Sequence, residues 1–109
     1  MQTSQVKEQF SRIERSIDQA AQLCESANQV PEKLRSCIAK LDSESDQAKQ
    51  VLAQGTSDSE IIDCIDRLEE LGDQAMEACK QGGNSVDPDL QNAVKQAHDE
   101  LSSLKHQLH

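Results

Sequence analysis

The segment Ala27-Asn28-Gln29-Val30-Pro31-Glu32-Lys33-Leu34 is where two readings of the chain divide. An apolar stripe leads into it, with Val6, Phe10, Ile13, Ile17, Ala20, Cys24 and Ala27 recurring in steps of four and three. Such steps keep every member on one face of an α-helix. A second stripe leaves it through Leu34, Ile38, Leu41, Ser45, Ala48 and Leu52, flanked by Cys37 and Val51, with Ser45 as its one polar member. Proline lacks a backbone donor and crowds the preceding turn, so it ends one helix or opens the next. The residue before it is also pushed out of the helical region. The spacing therefore predicts a reversal at Val30-Pro31 between helices over about 3–28 and 31–54. The rival is one long helix kinked at Pro31, followed by two shorter ones, because the three-and-four stepping passes through Pro31 unbroken. Such a helix would pair with a second copy as a coiled coil.

Further along, Ser57-Asp58-Ser59-Glu60 matches a capping box and opens a third helix over about 57–81. Its stripe is Ile61, Ile65, Leu68, Gly72, Ala75 and Cys79. Gly72 weakens the helix centre by up to about 1 kcal/mol relative to alanine, and a close helix–helix contact is the expected reason for it. Gly55 stands where a helix C-cap belongs, and Gln81-Gly82-Gly83-Asn84-Ser85 reads as a loop. Asp87-Pro88 then makes an N-cap and first-turn pair for a last helix over about 88–108, striped by Leu90, Val94, Ala97, Leu101, Leu104 and Leu108.

Four amphipathic helices on short turns bury their stripes best as an antiparallel up-down-up-down four-helix bundle. Residue size agrees with that arrangement. The first and third helices are bulky early and small late, whereas the fourth is small early (Ala93, Ala97) and bulky late. Leu34, Ile38 and Leu41 of the second helix face the narrow end and are expected to fill it. The 109 residues are read as a single helical domain, and the lone aromatic residue, Phe10, argues against strands.

Composition narrows function more than it defines it. The net charge is −9, from 20 acids and 11 bases. Residues 56–82 hold eight acids against two bases, while residues 31–55 hold four of each. This balance repels phosphate backbones and anionic membranes, and a basic protein surface is the partner it attracts. No apolar run has the length of a membrane span or the look of a signal peptide, so the expected compartment is the cytoplasm. Asp63, Asp66, Glu70 and Asp73 recur at three- and four-residue steps and form a candidate acidic docking ridge. A solvated face that keeps the protein soluble is the plainer account of the same charges.

The cysteines are the other candidate set. In a hairpin turning between residues 30 and 31, Cys24 and Cys37 stand at the same distance from the turn and can face each other as a disulfide. The plainer account is that all four cysteines, with Cys64 and Cys79, are small buried apolar residues. Zinc held by Cys24, Cys37 and Cys79 is disfavoured, because structural sites use closely spaced ligand pairs. No catalytic, cofactor or metal residues are expected. Lys95 and Ser103 stand where di-iron Glu-x-x-His pairs would need glutamate before His98 and His106, and Gly82-Gly83 lacks the lysine of a phosphate loop. The expected function is a non-enzymatic interaction module, such as a small adaptor, chaperone or assembly factor, existing as a monomer or weak homodimer. The alternatives are a thiol-responsive bundle using Cys24 and Cys37, or a structural homodimer.

Overall fold

The computed structural model describes residues 3–27, 30–54, 57–83 and 86–108. Among the described residues, four helices follow one another: α1 (Thr3–Ser26), α2 (Glu32–Ala53), α3 (Asp58–Gly82) and α4 (Pro88–Leu108). Pro31 is the hinge of the fold. It lies at φ −53° and ψ 136°, extended rather than helical, and its carbonyl accepts from the Arg35 amide at 3.0 Å to start α2. The long kinked helix is thereby excluded, because α1 stops at Ser26 and α2 packs back along it. Glu14 and Lys49, 3.4 Å apart, tie the two together.

Each helix packs on two neighbours, in the ring α1–α2–α3–α4 and back to α1. The arrangement is an antiparallel four-helix bundle measuring 41 × 22 × 18 Å. One continuous core runs through it, and Leu34, Leu68, Leu90 and Leu101 have no exposed surface. The tapered residue sizes explain how it closes. Leu34, Ile38 and Leu41 of α2 are all buried at the end where the other helices carry Ala20, Ala75, Ala78, Ala93 and Ala97. Large side chains on one helix fill the space that small ones leave on three, which keeps the interior close to crystal-like packing density.

The helix ends show local corrections. Ser57 caps α3, its hydroxyl accepting from the Glu60 amide at 3.4 Å. At the other end α3 runs through Gln81 and Gly82, which belong to the helix rather than to the loop expected there. The chain leaves the helix at Gly83, whose φ of 54° suits glycine. Val86, beyond it, is buried and seals the end of the core. The Gln91 side chain holds this connection by donating to the carbonyls of Gly83 and Val86 at 3.2 and 3.1 Å. The expected cap at Gly55 lies outside the described residues.

Candidate protein-interaction surface

The helical repeat of α3 separates its residues into three strips. Ile61, Ile65, Leu68, Gly72, Ala75 and Cys79 face inwards and are buried. Asp63, Glu70, Asp73 and Glu77 are exposed and Asp66 is half-buried, so the candidate ridge follows the outward side of α3. The remaining strip meets α4. There Glu69 accepts from the Lys105 ammonium at 3.3 Å, and at the border with the inward strip Gly72 lets α4 approach at His98 and Leu101.

The ridge is not uniform along its length. Its last member, Asp73, contacts Nε2 of His98 on α4, while Nδ1 of the same ring lies 3.4 Å from Asp99. A carboxylate only accepts, so in the Asp73 contact the ring nitrogen is the donor. Asp73 therefore belongs to the α3–α4 seam as well as to the outer face. This pairing spans 25 residues and went unseen in the sequence pattern. Ser16, buried on α1, makes a comparable long-range bond to Glu100 on α4.

Charge is distributed by helix. The segment Asp58–Gly82 carries eight acids and two bases, while Glu32–Ala53 carries four of each. A second, smaller acidic focus lies between α1 and α2. The Asp42 carboxyl is raised above the usual aspartate value, first by burial, then by repulsion from Asp46 and Asp18. Asp18 and Asp42 are one residue off level about the turn at residues 30–31, close enough for the same hairpin geometry that sets Cys24 opposite Cys37 to bring them near each other.

All four cysteines are free thiols and all are buried. Burial pushes Cys79 up to about 11, with the neighbouring Cys37 thiol contributing next. Cys24 is raised by burial, partly offset by the Arg35 guanidinium beside it. Among the causes acting on these thiols, Cys37 thus acts on Cys79 across α2 and α3. Cys64 accepts a long hydrogen bond of 3.6 Å from Arg67. Thiols raised in this way are poor nucleophiles and poor metal ligands near neutrality. Among the described residues, no three His, Cys, Asp or Glu side chains come together as a metal site.

Beside the ridge, a groove of about 290 Å³ between α2 and α3 is lined by Lys40, Glu44, Arg67, Glu70, Leu71 and Gln74. A groove of about 210 Å³ opens between the start of α1 and the end of α2, over Phe10 and Leu52 with Lys7, Glu14 and Lys49 at its rim. No described helix is long and apolar enough to cross a membrane. Comparison with known proteins is silent: no family model, curated protein or solved structure matches the chain.

Proposed function

We propose that the protein is a non-enzymatic interaction module that presents the outer face of α3 to a basic surface on another protein. The observation carrying this reading is the line Asp63, Asp66, Glu70 and Asp73 on the helix that holds eight acids and two bases. A rigid helix fixes the spacing of these charges in advance, so a partner with bases at matching intervals loses little side-chain freedom on docking. The same field disfavours nucleic acid and anionic lipid as ligands. A small adaptor, chaperone or assembly factor acting in the cytoplasm is the role this surface suits.

The test is capture of partners from the native host at low salt, with bound proteins identified by mass spectrometry. Binding that rests on this ridge falls as salt approaches about 1 M, where the screening length is about 3 Å. Reversing Asp66, Glu70 and Asp73 to lysine should weaken it at least about tenfold, or about 1.4 kcal/mol. Because Asp73 also contacts His98, a second variant reverses Asp63, Glu70 and Glu77 and leaves that seam intact. Should folded protein of both variants retain the same partners at the same affinity, α3 is not the docking face.

A further inference from the structure

We draw no further inference here: the strongest candidate, the buried thiol pair Cys37 and Cys79 between α2 and α3, rests only on the electrostatic effect of one thiol on the other, and nothing in the structure shows what the pair would bind or become.

Discussion

Ser45 has no exposed surface in the middle of the apolar stripe of α2, and its hydroxyl donates to the Asp42 carbonyl at 2.8 Å. A sequence pattern registers it as a fault in the stripe, but the helix's own backbone satisfies it. Because that carbonyl keeps its ordinary helical partner, Ser45→Ala leaves no acceptor orphaned. Its stability in urea unfolding should stay within about 0.5 kcal/mol of the parent. Leu68→Ala, at an equally buried position, removes core volume and apolar contact and should cost about 2–5 kcal/mol in the same assay. Asp42 behaves in a third way. Its carboxyl is raised in the folded chain by burial and by Asp46 and Asp18, so the fold is favoured while that group is protonated. That contribution is present below the unfolded-state value of about 3.9 and is lost as pH rises through the higher folded-state value. Asp42→Asn should therefore melt higher than the parent at neutral pH, with the difference closing below about pH 3. Equal melting shifts at both ends of that range would mean that charge at Asp42 is not the cause.

At the scale of the element, Gly72 shows what a helix interior can hide. It lies within unbroken α3, where a Cβ would meet the Leu101 Cδ1 at 3.4 Å and His98 atoms at 3.7 Å. The close approach expected at this glycine is real, and the tightest neighbour is the tip of a flexible leucine. Gly72→Ala should then recover most of the helix-propensity difference of about 0.8–1 kcal/mol and raise the melting temperature. A fall in melting temperature would show that Leu101 cannot yield. The elements were legible because each is specified locally: a stripe in three-and-four steps, a proline, a serine cap, an Asp-Pro start. Contacts between elements were less so. Ser16 with Glu100 and Asp73 with His98 depend on how deeply two helices slide past each other, which no single stripe records. The candidate ridge was legible as a spacing on one helix, but the capture of its Asp73 end by α4 was not.

At the scale of the molecule, the thiols report on the whole. Cys24 is on α1, Cys37 on α2, and Cys64 and Cys79 on α3, and every one is buried. Alkylation in native buffer should be slow at all four and become fast together in urea, as read by mass spectrometry after timed quenching. Rapid labelling of one cysteine alone would reveal local opening, and a pair protected from alkylation under oxidising conditions even when unfolded would support the Cys24–Cys37 disulfide. The ring of helices carries one more implication. Since α1 and α4 are antiparallel neighbours, the beginning of α1 and the end of α4 lie at the same end of the bundle. The packing has no seam that chain order must respect. A circularly permuted chain, spliced there by a short flexible linker and cut open between α2 and α3, would keep every helix beside its present neighbours.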